Sequence, residues 1–299
     1  MSKSKKFLDW IFTCNNHNPQ NYVDFIVENK KVGAIHYKNI PLFQVHPDLF
    51  LITNKKIILN PKLNTPDIRT EKVHQIVKNW HVWGRISGWR EEMNTVAIDF
   101  NQPPLLTLER SAAPIFGIPC YGVHINGFTY KNNRLHMWVA KRAKNKPTEP
   151  QKLDNLAAGG HAAFKQVTET MLQECHQEAN IPSSLALQAQ SVGCIHYLCE
   201  EKHELRDDTL FIYDLCLPNH FMPVNNDGEV DAFYLWPIER VIETVANTTL
   251  FKTNVNLVLI DFFIRHGYLN PEDENYTVLV KNLHRTNKCN QKSYSIPKS

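Results

Sequence analysis

A glycine pair followed by an amphipathic helix with two glutamates is the feature that most constrains this 299-residue chain. Gly159 and Gly160 precede residues 166–180, whose apolar side chains recur at helical spacing. Glu174 and Glu178 are four residues apart, so a helix places them on one face, with Gln177 beside them. Two carboxylates at that spacing can hold a hard divalent cation against a diphosphate, and glycines let backbone approach a ligand closely.

Helical and strand patterns interleave along the chain, which favours an α/β fold. Prolines 103 and 104 fit a linker and place a domain boundary near residue 110. We therefore expect a smaller N-terminal α/β accessory domain (1–110), a second domain (111–281) and a polar tail (282–299). The predicted helices are residues 7–12, 22–26, 73–82, 166–180, 238–246 and, as the last one, 255–266. The predicted strands lie within residues 31–59 and at 122–127, 135–139, 194–199, 209–217 and 229–235.

Composition excludes several classes of protein. With 42% hydrophobic and 21% charged residues, the chain is not wholly disordered. A formal net charge of +3 gives no global field for nucleic acid or an anionic membrane. The seven cysteines form no CxxC pair. No signal peptide is predicted. The longest apolar run, residues 255–264, is too short to span a bilayer. We expect a cytoplasmic protein without nucleic-acid or membrane partners; its oligomeric state is not readable.

Residues 159–181 resemble the Nudix box, written G-x5-E-x7-R-E-U-x-E-E-x-G-U with U a bulky aliphatic residue. With the first glycine placed on residue 159, the spacing closes without a gap. The matching residues are Gly159, Glu174, Glu178 and Ile181, with Cys175 as an apolar substitute. The departures are Lys165, Gln173, Gln177 and Asn180.

The flanking segments resemble one Nudix subfamily, which occurs alone or fused to thiamine pyrophosphokinase. The resemblance extends over residues 20 to 280, and the segments that carry it are 88–92, 110–127, 146–148, 153–160, 226–230 and 260–268. It implies a Nudix α/β/α sandwich over residues 111–281. It also implies hydrolysis of thiamine diphosphate, or of its oxidised analogues, to the monophosphate and phosphate.

The departures from the box bear on metal binding. Lys165 and Gln173 replace the glutamate and arginine that brace the loop against the helix in the family, and their joint exchange need not leave a buried charge unpaired. Gln177 replaces a metal-facing glutamate with a neutral amide, which ligates more weakly. The resemblance implies Glu174, Glu178 and Gln177 as ligands of Mg²⁺, or alternatively Mn²⁺, with reduced magnesium affinity or the loss of one of several metals.

The hydrolysis of a diphosphate also needs a general base near the attacking water. Glu178, Glu174 and Glu229 are the candidate catalytic residues, and the candidates for the base are Glu178, Glu229 and Glu200 or Glu201. We expect Glu178 to be partly exposed in a cleft, so that Glu178→Gln removes most activity with little loss of stability.

Contacts to the organic part of the substrate are predicted from an aromatic and basic pair. Trp89 and Arg90 are candidates for a clamp, because a tryptophan face attracts a cationic ring such as thiazolium. Gly159 and Gly160 are further substrate-binding candidates. The alternative interpretation is that Trp89 anchors the N-terminal core. Phosphate contact and simple solvation are both open for three basic residues: Arg142, Lys144 and Lys146.

The sequence thus predicts a magnesium-dependent Nudix diphosphate hydrolase with a small-molecule substrate. Two alternatives remain open. One is a catalytically weakened Nudix domain that binds a nucleotide-like ligand or a protein. The other is a Nudix hydrolase of another diphosphate, such as ADP-ribose.

Overall fold

An N-terminal helix and a small sheet open the fold, which a computed structural model describes for residues 3–284. The elements are α1 (Lys3–Cys14), β1 (Tyr22–Val27), β2 (Lys30–His36), α2 (Ile40–Gln44), β3 (Phe50–Ile52), β4 (Lys56–Leu59) and α3 (Pro66–Val82). The strands form a sheet in the order β2-β1-β4-β3. The strands predicted within residues 31–59 are confirmed. The helix predicted at 73–82 is confirmed too, but it begins at Pro66, because the Thr65 side chain caps it by accepting the Ile68 N–H at 3.3 Å.

The helix predicted at residues 22–26 is wrong, because this segment is strand β1. Val23, Phe25 and Val27 alternate along the strand and enter the N-terminal core. The strand pairs antiparallel with β2 and parallel with β4. Its apolar residues are too closely spaced for periodicity to separate a helix from a strand, and pairing on both edges decides the outcome.

A two-stranded ribbon links this sheet to the rest of the chain. Its elements are β5 (Met93–Val96), β6 (Leu106–Glu109) and the short helix α4 (Ala113–Phe116). The N-terminal core runs from Val23 to Ile118, with Trp80, Phe43 and Phe116 fully buried at its centre. The expected domain boundaries near residues 110 and 281 stay predictions.

A large mixed sheet forms the second layer of the molecule. Its strands are β7 (Pro119–Lys131), β8 (Arg134–Arg142), β9 (Leu153–Asp154), β10 (Ala157–Gly160), β11 (Gln190–Glu201), β12 (Glu204–Cys216) and β13 (Val230–Pro237). The path is β11-β12-β7-β8-β13, with β10 on β7 and β9 on β8, and only β12–β7 is parallel within this described sheet. The predicted strands at 122–127, 135–139, 194–199, 209–217 and 229–235 are confirmed in type.

Helices cover both faces of this sheet. They are α5 (Val167–Ala179), α6 (Ser183–Ala186), α7 (Ile238–Asn247), α8 (Val255–Arg265) and α9 (Tyr276–Leu283). Side chains alternate along β12, so that Leu210 and Ile212 enter the core shared with α1, α7, α8 and α9, whereas Tyr213 and Leu215 enter the core shared with α5 and α6. The expected α/β/α sandwich is therefore confirmed, and α1 packs in its outer helical layer.

The end of the described chain departs from the prediction. The helix predicted as the last one ends at Arg265, and α9 follows it. The polar tail predicted at 282–299 lies outside the described residues from 285 onward. Across residues 3–284, no helix has both the length and the apolar character needed to cross a membrane.

Candidate active site

Helix α5 presents the two glutamates from a well-capped segment. At its start, the Glu169 carboxylate accepts the Gln166 N–H at 2.9 Å and completes a capping box. At its end, Asn180 adopts a left-handed conformation with φ 50° and ψ 38°. After glycine, asparagine is the residue most often found there, which explains the exchange at the glycine position of the box. The helix predicted at 166–180 is confirmed.

Glu178 lies deep in the fold, with 5% of its surface exposed. One carboxylate oxygen accepts the Ala158 N–H of β10 at 2.8 Å. Burial, with the charges of Asp154 and Glu174 added to it, raises the pKa of Glu178 to about 8. The expectation that this side chain is partly exposed is therefore wrong, because α5 packs directly on β10.

Glu174 lies one helical turn earlier and is half-buried against the same strand. A Cβ atom at Gly159 would overlap the Glu174 carboxylate, so the absence of a side chain there gives the glutamate its place. Burial is the main cause that raises the pKa of Glu174 to about 7, the Glu229 charge adds to it, and Arg110 opposes it. The two predicted glutamates thus share one face of α5, as their spacing indicates.

Gly160 makes room for a cation rather than for another carboxylate. A Cβ atom at this position would overlap the Arg110 guanidinium. Arg110 donates to the Glu92 carboxylate at 2.7 Å, which fixes its orientation. The glycine pair was expected to admit a ligand; in the structure it admits Glu174 and Arg110, and direct substrate contact by Gly159 and Gly160 stays a prediction.

Gln177 takes part in a chain of amide hydrogen bonds. The Lys165 ammonium donates to Gln173 Oε1 at 2.6 Å, and the Gln173 amide donates to Gln177 Oε1 at 3.0 Å. Lys165 and Gln173 therefore replace the family's charged brace with a hydrogen bond near the surface. The oxygen that Gln177 would offer to a metal already accepts one hydrogen bond, and its role as a ligand stays a prediction.

Glu229 stands opposite the helix, with basic groups around it. It pairs with Lys146, and Arg90 Nη1 lies 3.5 Å from its other oxygen. Burial alone would raise the pKa of Glu229, but the Lys146 ammonium and the Arg90 charge hold it below its usual value. Arg90 is thereby placed at the edge of the predicted site, and Lys146 is paired rather than freely solvated.

Trp89 packs against the N-terminal core. Its ring stacks on His81 at 5.1 Å between centroids and lies 5.4 Å from His74. This arrangement is the one expected of a core anchor, and substrate contact by Trp89 stays a prediction.

A buried ion cluster lies behind Glu178. Arg142 and Asp154, both 5% exposed, pair at 2.8 Å, and Lys252 lies 4.0 Å from the same carboxylate. Burial alone would raise the pKa of Asp154, but Lys252 and Arg142 hold it below its usual value. Arg142 therefore serves the core and not a phosphate or a solvated loop.

A second group of potential metal ligands lies elsewhere, at the β11–β12 hairpin. Ligand atoms of His36, Glu200 and His203 are within 4.8 Å of one another. However, His36 Nδ1 accepts the Lys38 N–H at 3.1 Å, which leaves the imidazole proton on Nε2, the atom that faces Glu200. The Lys38 ammonium also lies 3.3 Å from His203 Nε2. The polar atoms of this group therefore already contact one another or Lys38. Glu200 belongs to this group and not to the surroundings of helix α5.

Sequence reasoning found the acidic face of α5 and missed the residues that complete its surroundings. Arg110 belongs to a recognised flanking segment, but nothing in the sequence links it to Gly160. Lys146 and Asp154 are likewise separated along the chain from the groups they affect. The only available signal was the glycine pair, which predicts close approach without saying which group approaches.

Comparison with known proteins gives three results. Residues 6–119 match a family described as a domain of unknown function (DUF4743). The chain is 37% identical over 281 residues to "Nudix hydrolase 24, chloroplastic" of Arabidopsis thaliana, which covers 93% of this chain and 77% of that protein. It is 36% identical over 288 residues to "Nudix hydrolase 20, chloroplastic" of the same plant, with the same coverages.

Among solved structures, similarity is weaker. The NUDIX domain of Shewanella oneidensis NrtR complexed with ADP ribose has a TM-score of 0.40 and 12% identity, over 50% of this chain and 90% of that chain. A likeness at this level does not bear on the substrate.

Proposed function

This chain belongs to the Nudix hydrolase family, and from that membership we propose that it cleaves the diphosphate of thiamine diphosphate, or of an oxidised analogue, to the monophosphate and phosphate. The resemblance of the segments flanking the box motivates the choice of substrate. The geometry of the acidic face of α5 motivates the assignment of the site.

One observation carries the proposal: Glu174 and Glu178 project from one face of α5 into the same buried region. Burial raises the pKa of Glu174 to about 7, with the Glu229 charge added to it, and the pKa of Glu178 to about 8, with the charges of Asp154 and Glu174 added to it. A divalent cation would relieve the repulsion from these negative charges, and carboxylate oxygens are the ligands that Mg²⁺ and Mn²⁺ prefer. The residues present therefore fit a divalent ion, which Glu174 and Glu178 would hold.

A bound divalent ion would supply charge neutralisation at the phosphate oxygens. The chain's own residues supply position and proton acceptance. Arg110 is oriented by Glu92, so its guanidinium is held for charge-assisted hydrogen bonds to a phosphate oxygen. Lys146 and Arg90 hold Glu229 in place on the opposite side.

Among the three candidate catalytic glutamates, we assign the proton-accepting role to Glu174, through the carboxylate oxygen that does not hold the ion. Glu178 is buried and bonded to Ala158, and Glu229 is engaged by two cations. Glu174 is half-buried, so a water molecule can reach its carboxylate.

Phosphate release is the test of this function. The purified full chain with Mg²⁺ is expected to release phosphate from thiamine diphosphate or an oxo analogue, and the double variant Glu174→Gln/Glu178→Gln is expected to release none. A parallel panel of ADP-ribose and a dinucleotide covers the other diphosphates. Absence of release from the thiamine compounds, while a close relative is active on them, would refute the substrate assignment.

The hydrogen bond from Gln173 to Gln177 favours a second candidate, a weakened Nudix domain that binds a ligand or a protein without hydrolysing it. Restoring glutamate at position 177 separates the two. If hydrolysis occurs only in Gln177→Glu, the binding function is correct. If Gln177→Glu raises an activity that the natural chain already has, the hydrolase function is correct.

A cytoplasmic location is part of the proposal and is tested by imaging a tagged full chain.

A further inference from the structure

A cavity of about 170 Å³ lies beside the proposed hydrolytic site. One wall comes from the segment between β5 and β6, which includes Asp99 and Phe100. The other wall comes from Tyr121 and from the loop that leads from β10 to α5, which includes His161 and Phe164. The N-terminal part of the chain thus closes a space that the α/β/α sandwich alone would leave open.

Part of the wall of this cavity is aromatic, and the rest is formed mainly by small, amide and proline side chains. The ring of Phe100 lies 4.7 Å from Tyr121 and 5.8 Å from His161, measured between centroids, and it packs on Phe211 at 5.0 Å. Such tilted arrangements leave ring faces and edges available to a further flat ring. His161 is held at two points. Its imidazole Nδ1 lies 2.8 Å from Thr170 Oγ1, and its backbone N–H donates to the Tyr121 carbonyl at 2.8 Å.

Phe164 stands on the rim of the cavity. Its side chain is 81% exposed, and its φ of 67° lies in the left-handed region that a phenylalanine rarely adopts. The Ala163 N–H donates to the Met93 carbonyl at 2.7 Å, which ties this loop to β5. The backbone thus holds a bulky apolar side chain in solvent at the mouth of an aromatic space, where a bound ring would cover it.

Charged side chains of both signs lie at the mouth, with Asp99 next to the aromatic ring of Phe100. Asp99 is exposed, and one of its carboxylate oxygens accepts the Phe100 N–H at 2.7 Å. The positive charge of Lys165 also lies along the cavity lining, with its ammonium donating to Gln173 Oε1 on α5 at 2.6 Å, whereas Asp99 lies on the opposite wall. Aromatic faces next to a carboxylate favour a cationic ring over a neutral or anionic one.

The cavity is within reach of the hydrolytic site. His161 follows Gly159 by two residues, and β10 is extended up to Gly160. At roughly 3.3 Å per residue, about 7 Å separate Gly159, which makes room for Glu174, from His161 in the cavity wall. A diphosphate held at Glu174 and Glu178 would place the organic group attached to it in or beside this space.

The cavity is large enough for a single ring. An apolar cavity of about 150 Å³ is large enough to bind benzene. A space of about 170 Å³ therefore accepts a five- or six-membered ring.

We propose that this cavity binds a single, positively charged heteroaromatic ring of the diphosphate substrate, and that Phe100 and Asp99 determine that specificity. The inference rests on the proposed function for the placement of the diphosphate. It assigns to the N-terminal part of the chain the recognition of the organic group, and it leaves the hydrolytic residues on the sandwich.

A binding titration of the full chain tests the cavity without relying on turnover. The probe is thiamine, which has the cationic ring and no phosphate. Phe100→Ala is expected to weaken binding about ten-fold, since one stacked ring contributes that order of affinity. Phe100→Leu keeps the apolar volume and is expected to weaken binding as well, and Asp99→Asn is expected to weaken thiamine but not a neutral ring analogue.

Phe12→Ala is the matched control, because Phe12 is an exposed phenylalanine on α1 and is expected to leave thiamine binding unchanged. Thiamine binding that is the same in Phe100→Ala, Phe100→Leu and the natural chain would overturn the proposal. Adenosine binding that depends on Phe100 while thiamine binding does not would overturn it in favour of a purine site.

A kinetic comparison completes the test. For thiamine diphosphate, Phe100→Ala is expected to raise KM, whereas kcat/KM for methyl diphosphate, which has no ring, is expected to stay unchanged. An equal loss with both substrates would mean that Phe100 acts only through the fold and would refute its role in specificity. If the natural chain hydrolyses no diphosphate, the proposed function fails, and the thiamine titration still decides the cavity.

Discussion

Replacing Glu178 by glutamine is expected to make the metal-free protein more stable at neutral pH. Burial, together with the charges of Asp154 and Glu174, raises the pKa of Glu178 from 4.5 to about 8. Between these pH values the folded chain retains a proton that the unfolded chain releases. The free energy of unfolding therefore falls by about 1.4 kcal/mol per pH unit as the pH rises from 4.5 to 8.

The free energy of unfolding that is lost because Glu178 is buried amounts to about 3 kcal/mol at pH 7 and to under about 1 kcal/mol at pH 5. A glutamine at this position does not ionise, and its amide oxygen can still accept the Ala158 N–H. In EDTA, Glu178→Gln is thus expected to exceed the natural chain in stability by up to about 3 kcal/mol at pH 7 and to match it near pH 5. Magnesium is expected to stabilise the natural chain at pH 7 and not the variant, and activity is expected to be lost.

Urea denaturation at pH 5 and pH 7, with EDTA or with Mg²⁺, measures these differences. Glu71→Gln, at an exposed glutamate of α3, is the control and is expected to change stability little under any of these conditions. If Glu178→Gln is less stable than the natural chain at pH 7 without metal, the assigned cost of burying this carboxylate is wrong. An equal response of both proteins to magnesium would remove Glu178 from the metal site.

Three further changes probe the surroundings of the site. Gln177→Glu adds a negative charge to the metal-facing side of α5 and is expected to lower the magnesium concentration needed for half-maximal phosphate release; an unchanged requirement would exclude a role for position 177 in metal binding. Gly159→Ala is expected to displace the Glu174 carboxylate, because its Cβ would occupy that space, and to lower kcat by at least about ten-fold with the far-ultraviolet spectrum preserved; full activity would mean that Glu174 works from another position. Asp154→Asn leaves Arg142 buried without its partner and is expected to cost about 3–5 kcal/mol of unfolding free energy in urea, whereas a loss below about 1 kcal/mol would contradict the burial of that pair.

The local part of the site could be predicted from the sequence. The helix that carries Glu174 and Glu178 has its own periodicity and its own caps, so neighbouring residues determine it. Strands β7 and β8 were also predicted, and the turn between them contains Asn132 and Asn133, which both have a positive φ.

Features set by distant contacts could not be predicted in the same way. Strand β1 has a short apolar segment that is compatible with a helix, and its pairing with β2 and β4 decides its conformation. The burial of Glu178 follows from the packing of α5 on β10, which spacing along the helix does not reveal.

The glycine pair shows the same limit in the site itself. Gly159 and Gly160 predicted a close approach, and close approach is what the structure has. The approaching groups are the chain's own Glu174 and Arg110. Arg110 lies about fifty residues earlier in the sequence, and no local pattern connects it with the glycine that accommodates it.

Anomalous scattering from a crystal of the full chain soaked in Mn²⁺ tests the central claim most directly. We predict a manganese peak within bonding distance of carboxylate oxygens of both Glu174 and Glu178. A peak at His36 and Glu200 with none on α5, or no peak on α5 at saturating manganese, would contradict the assignment of the hydrolytic site.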